Sequence, residues 1–237
     1  MDKNQIIDKL FSVGAHFGYA PSRRHPSTKT FIFGSKGGTE LFDLEKTALC
    51  LDAALQFVKS LAAERKIILF VGGKAEAKEA LKRAAQRLGM PYAAGRWIGG
   101  TLTNWSEIKK RLARLDELTS MREKGELSKF TKHERLLIDR EITNLESMFG
   151  GLRGMQRLPD ALLVIDPRHE EGAVMEARQL KMPVVALMNS DCDATNITYP
   201  IPANDAASAN ITLMLDEVTS TYADNLALPP APQTVQA

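Results

Sequence analysis

The chain has 237 residues, 44% of them hydrophobic and 25% charged, with a net charge of +2. That is enough for one large α/β domain, or one domain carrying an insertion, and the apolar fraction is ordinary for a globular protein that buries a real core. Charge is unevenly spread: residues 1–150 carry 26 Lys/Arg against 18 Asp/Glu, and residues 151–237 carry 5 against 11. A basic half joined to an acidic half points to a molecule that presents one face to a polyanion, the alternative being chance clustering of solvated charge.

The N-terminal stretch "MDKNQIIDKLF" is amphipathic and contains acids, so it does not read as a secretory signal. Apolar runs such as "ALLVI" are too short to span a bilayer. Residues 30–33 and 39–43 flank "GSKGG" and predict a β-hairpin. Residues 45–64 have helical apolar spacing, and "KIILFVGG" (66–73) is a continuously apolar strand of the kind buried on both faces of a parallel sheet. An Ala-rich helix ends at Gly89, and "MPYAAG" is a second short strand. From Ser106, apolar residues recur every three or four positions up to Met121, and the pattern repeats from Leu137 or Ile138 to Phe149. This predicts an antiparallel coiled-coil hairpin over 106–149, projecting as a partner-contacting arm. Strands at 160–167, 183–190 and 196–202 then alternate with helices at 169–181 and 204–223, the last capped by Asn204 or Asp205. The fold class is α/β: a doubly wound parallel sheet formed by residues 1–105 and 150–225, with a disordered tail over 226–237.

Three groups of residues carry candidate chemistry. "FVGGKAEAKEAL" has the strand–Gly-Gly-Lys–helix order that binds phosphate at a helix N-terminus. It lacks the spacing of a G-x-x-x-x-G-K-S/T loop, so Lys74 is a candidate for a single backbone phosphate; otherwise the segment is a tight turn. "IDPRHEE" sets Asp166, His169 and Glu170 at a strand's C-terminal end without matching a catalytic signature, and Asp166 suits a helix cap. The loops "NSDCD" and "PANDAA" bring Asp191, Cys192, Asp193 and Asp205 to the same edge. With His16, the residues Asp191, Asp193 and Asp205 offer a hard-oxygen set for a divalent metal, or serve only as turn and cap residues. The two cysteines, Cys50 and Cys192, stand apart with no C-x-x-C spacing, which fits a reducing cytoplasm.

The strongest pattern is basic. "YAPSRRHPSTKTFIFGSKGG" carries Arg23, Arg24, His25, Lys29 and Lys36 among turn formers, a mixture suited to phosphate contact or to a solvated loop. In "AAGRWIGGTLTNW" (93–105), Gly95, Gly99 and Gly100 permit close backbone approach; Arg96, Thr101, Thr103 and Asn104 supply donors for a phosphate or 2′-hydroxyl. Trp97 and Trp105, with Gly99 and Gly100, read as a packing joint at the base of the hairpin. No nucleophile–base pair is apparent. A small-molecule enzyme or metal-dependent hydrolase using the strand-end acids Asp166, Asp191 and Asp193 is the competing function class.

Eight segments in fixed order, "GAHFGY", "FIFG", "LEKT", "ILFVGGK", "RWIGGTLTNW", "GGLRGMQRLPDALLVIDPRHE", "PVVALMNSDCD" and "YPIPANDAA", resemble the bacterial small-subunit ribosomal protein two family from about residue 3 to 224. The resemblance implies a non-enzymatic, cytoplasmic, ribosome-bound protein with a flavodoxin-like domain and an inserted coiled-coil hairpin. It also implies binding to small-subunit ribosomal RNA and docking of neighbouring ribosomal proteins, including the large OB-repeat ribosomal protein one. Carried over by position, the RNA-facing residues lie after "GAHFG" and around Lys36, Lys74, Arg96 and Asn104. The chain departs from the family pattern at Tyr19-Ala20, where His-Gln is usual, and at Asn189-Ser190-Asp191, where Asp-Thr-Asn is usual.

Overall fold

A computed structural model describes residues 3–226. The tail expected over 226–237 lies, from residue 227 on, outside the described residues. The core is a five-stranded parallel sheet of β3 (Ile68–Val71), β4 (Tyr92–Ala93), β5 (Ala161–Ile165), β6 (Val184–Met188) and β7 (Tyr199–Pro202). Its spatial order is β4-β3-β5-β6-β7, and every neighbouring pair is parallel. Counting only these strands, the order is 2-1-3-4-5, the flavodoxin-like arrangement in which the chain reverses direction across the sheet between β3 and β5.

Each of β3, β5 and β6 is buried along its whole length, because helices cover both faces. Ile68, Phe70, Leu163, Ile165, Val185 and Leu187 pack on one side with α2 (Leu44–Ala63), α3 (Ala75–Leu88) and α7 (Ser208–Asp224), and with Leu10 of α1 (Lys3–Ser12). Leu69, Val71, Leu162, Val164, Val184 and Ala186 pack on the other with α4 (Trp105–Glu123), α5 (Lys132–Phe149) and α6 (Glu171–Gln179). The side-chain period of two sends alternate residues of one strand to opposite cores.

The segment between β4 and β5 forms the predicted helical pair. Leu112, Leu115 and Leu118 of α4 meet Ile142, Leu145 and Phe149 of α5, and Arg114 bridges to Glu141 at 3.2 Å. Thr131 and Glu134 form a capping box that starts α5 cleanly after the connecting turn. The lower part of this pair belongs to the same apolar cluster as the sheet face, so the hairpin is anchored in the main core.

Two local expectations change. The first strand of the β-hairpin runs Ile32–Lys36 rather than 30–33, pairing with β2 (Thr39–Phe42) across Gly37-Gly38, both with positive φ. Residues 26–31 instead form a 3₁₀ turn, tied down where the buried Thr28 hydroxyl sits 2.7 Å from the Ser190 carbonyl. Helix α7 begins at Ser208 with neither Asn204 nor Asp205 as its cap. Asn204 accepts from the Ala206 amide and donates to the Gly14 carbonyl, while Asp205 is held by Lys74 and Asn189.

Candidate nucleic-acid interface

In a sheet of this order, ligands enter at the C-terminal ends of the strands, beside the reversal between β3 and β5. Here that crevice is filled by the chain's own side chains. Lys74, just after β3, places its ammonium 2.6 Å from Asp166 at the end of β5 and 2.7 Å from Asp205 after β7. Its side chain is only 17% exposed. Asn189 donates to the other Asp205 oxygen at 2.8 Å. Burial works against the Lys74 charge, but the two carboxylates outweigh it and raise its pKa above the ordinary lysine value. Asp166 is held below the usual carboxylate range: burial opposes ionisation, but the Lys74 ammonium and the His169 amide prevail. Asp205, wholly buried and facing Asp166 as well as Lys74, is pushed upward by burial and by that second negative charge. One cation cannot fully compensate two carboxylates, and the more deeply buried one carries the penalty.

The Gly-Gly-Lys turn is likewise occupied from within. The Gly73 amide donates to buried Glu170 at 2.8 Å, and that same carboxylate oxygen lies 2.6 Å from His169 Nδ1. A Cβ on Gly73 would come within 2.8 Å of the Gly95 carbonyl, so the close approach of these two loops requires glycine. A phosphate has no room at this amide because a carboxylate already sits there.

The same solution recurs in the glycine-rich stretch after β4. Glu176, on the buried face of α6, accepts five hydrogen bonds from it. Oε1 takes the Trp97 indole N–H at 3.0 Å and the Gly100 amide at 2.8 Å; Oε2 takes the Leu102 amide (2.9 Å), the Thr103 amide (3.0 Å) and the Thr103 hydroxyl (3.1 Å). Burial alone would raise the Glu176 pKa, but these donors outweigh it and hold it low. Residues 97–103 thus form an anion cradle whose anion is an internal glutamate. Sequence reading missed Glu176. The available signal was an acid at 176 between Ala173 and Ala177, on the side of the helix that turns inward. Trp97 and Trp105 both pack against the apolar cluster shared by hairpin and sheet, and Trp97 also lies against Gly172 of α6. Gly99 is exposed, and Gly100 takes a positive φ beside Asn104.

The four residues considered for a metal do not share a site. Among the described residues, the only grouping with ligand geometry is Asp166, Cys192 and Asp205, which contains just one of them. His16 is instead stacked on Phe11 and tilted against Phe17, and burial lowers its pKa. Asp191 bridges Arg23 and Arg168, whereas Asp193 accepts from Thr195. Even the Asp166–Cys192–Asp205 grouping suits a metal poorly. The Lys74 ammonium already occupies the space between the carboxylates, and burial together with three nearby acids drives the Cys192 thiol far from ionisation. Asp166, Asp191 and Asp205 therefore serve as structural ion-pair partners rather than as an acid/base or hydrolytic set.

The basic residues fall into two kinds. Lys29, Lys36 and Arg96 are exposed and have no ion-pair partner among the described residues. Asn104 is also exposed, its carbonyl oxygen accepting from the Ser106 hydroxyl at 3.3 Å. Arg24 and Arg23 are engaged: Arg24 pairs with buried Glu40 at 2.8 Å, while Arg23 lies 4.2 Å over the Tyr19 ring and 3.2 Å from Asp191. Lys74 is spent inside the crevice. None of the helices among the described residues is long and apolar enough to cross a membrane.

Comparison with known proteins identifies a family for the chain. The sequence profile of the family described as ribosomal protein S2 matches residues 10–224. The chain is 42% identical to the small ribosomal subunit protein uS2 of Mycobacteroides abscessus over 220 residues, covering 93% of this chain and 79% of that protein. It is 42% identical to the protein of the same name from Nocardia farcinica, covering 93% and 77% of the two chains. With that of Chloroflexus aurantiacus it shares 42% over 212 residues, 90% of this chain and 89% of the other. The family match across nearly every described residue, with relatives 42% identical over most of both chains, places this chain in the ribosomal protein S2 family.

Proposed function

We infer that this protein is a structural constituent of the small ribosomal subunit, not an enzyme, and that it works ribosome-bound in the cytoplasm. The observation that carries this is the family match over residues 10–224. The closed crevice is consistent with it, since both loops that resemble phosphate cradles hold internal glutamates. Small-subunit ribosomal RNA is the principal partner. Its backbone is met by the exposed cations Lys29, Lys36 and Arg96, with Asn104 alongside and the Arg23–Arg24 turn nearby, through charge neutralisation and shape rather than base readout. Residues 106–149 serve as an arm toward neighbouring ribosomal proteins, and the acidic C-terminal half contributes to docking them, the large OB-repeat ribosomal protein one among them.

The test is a salt titration of binding to small-subunit ribosomal RNA. Affinity falls steeply with salt for the wild type, and Lys29→Gln, Lys36→Gln and Arg96→Gln each reduce the log–log slope by about one phosphate contact, roughly 0.7–0.9. Binding that is insensitive to salt would overturn the electrostatic mechanism.

A further inference from the structure

We propose that Arg23 and Arg168, joined through Asp191, form a seat for a single phosphodiester of the RNA backbone. The proposal rests on the RNA-binding reading above and adds to it a residue, Arg168, that the sequence did not single out.

Both guanidiniums bond the same oxygen of Asp191, Arg23 at 3.2 Å and Arg168 at 2.5 Å. The Asp191 side chain is only 5% exposed, whereas the two arginines are 54% and 57% exposed. A nearly buried carboxylate thus fixes two solvent-facing forks side by side, and one negative charge offsets two positive ones. Each guanidinium spends one nitrogen on Asp191, so Nε and the other terminal nitrogen of each have no hydrogen-bond partner among the described residues. The Tyr19 ring beneath Arg23 removes much of its rotamer freedom in advance. Paired, pre-oriented forks with unspent donors suit a tetrahedral oxyanion.

The surroundings narrow the ligand. The arginines open onto a cleft of about 380 Å³. Pro167, Val174 and Met175 give it an apolar wall, against which a sugar or base edge can rest. Its rim also carries Asp193 and Glu171. Those acids repel a ligand of high charge density such as a nucleoside triphosphate, and they tolerate a phosphodiester that bears one charge and is held by two guanidiniums. A protein carboxylate is the competing occupant and meets the same donors; the apolar wall of Pro167, Val174 and Met175 beside the forks favours a phosphodiester flanked by sugar and base.

The experiment uses the full chain and small-subunit ribosomal RNA, with affinity measured between about 50 and 200 mM salt and phosphate contacts mapped by ethylation interference. Arg168→Gln is expected to lower the salt slope by about one contact, so that over this range the variant loses about 2.6- to 3.5-fold less affinity than the wild type. One interference signal should vanish with it. Arg168→Lys should keep the slope but bind more weakly, since it retains the charge and loses the fork. Arg168 is exposed, and unchanged thermal unfolding of each variant checks that the fold is intact. If the wild type shows the steep slope while Arg168→Gln and Arg23→Gln leave slope and footprint unchanged, the seat is refuted and the broader reading survives. If the wild type does not bind small-subunit RNA, the broader reading fails. Should Arg168→Gln leave RNA binding intact and abolish retention of a neighbouring ribosomal protein on assembled subunits, the occupant is a protein and the proposal is wrong.

Discussion

Replacing Glu176 by glutamine tests whether one internal carboxylate organises the glycine-rich loop. The amide retains one acceptor oxygen and presents an N–H₂ group where the second oxygen stood. In its less damaging orientation the nitrogen replaces Oε1, facing the Trp97 indole and the Gly100 amide, so two donors lose their acceptor and meet another donor. The opposite orientation strands the Leu102 and Thr103 amides together with the Thr103 hydroxyl. An unmade bond at a buried donor costs about 1–3 kcal/mol. With two such donors, and Gly100 only half-buried, the expected loss is about 2–4 kcal/mol. For a chain of this size each kcal/mol moves the midpoint by about 2–4 °C, so Glu176→Gln should unfold about 4–16 °C below the wild type. Hydrogen exchange at the amides of Gly100, Leu102 and Thr103 should accelerate, while β5 and β6 remain protected. A midpoint within about 1 °C of wild type, with exchange unchanged at those amides, would mean that the loop is held by its own backbone and by tryptophan packing.

Lys74→Met should destabilise by about 3–5 kcal/mol in urea unfolding, because it leaves Asp166 and Asp205 facing each other without a cation. Adding Asp205→Asn should restore much of that loss, and a double variant no better than the single one would contradict the triad. The same Lys74 change should leave the salt slope of RNA binding untouched, since the ammonium lies inside the fold. Stability should also depend on pH in two opposed ways. Asp160, Asp166 and Glu176 have lowered pKa values, so their contributions are present above the unfolded carboxylate pKa of about 4 and vanish as pH falls through the lower folded values. Asp205 has a raised pKa, so its contribution is complete below the unfolded value and is lost as pH rises through the folded one. Urea midpoints from about pH 3 to 8 should therefore fall on the acid side in wild type and in Asp205→Asn alike. Only wild type should lose stability on the rising side above about pH 4, and identical profiles there would contradict this account.

The sequence by itself determined the layers and their order. Fully apolar runs of five residues alternating with amphipathic helices admit little besides a covered parallel sheet, and sustained three–four spacing interrupted by "KGELSKFTK" admits little besides a helical pair. Those signals are local, so they survive being read without neighbours. Element ends were less legible: the first strand of the β-hairpin starts two residues later, at Ile32, because Thr28 is tied to Ser190, 162 positions away. The site was legible only as a set of charged residues. Lys74, Asp166 and Asp205 come from three different strand ends, and only the parallel topology makes them touch. "RWIGGTLTNW" looked like a cradle for an outside anion, and the fold supplied the anion from α6, more than 70 residues later. Which cations stay free for a polyanion, and which are consumed by internal carboxylates, depends on distances between residues far apart in the chain. That partition is decided by the tertiary structure, because charges screened apart in an unfolded chain interact strongly only once folding removes the water between them.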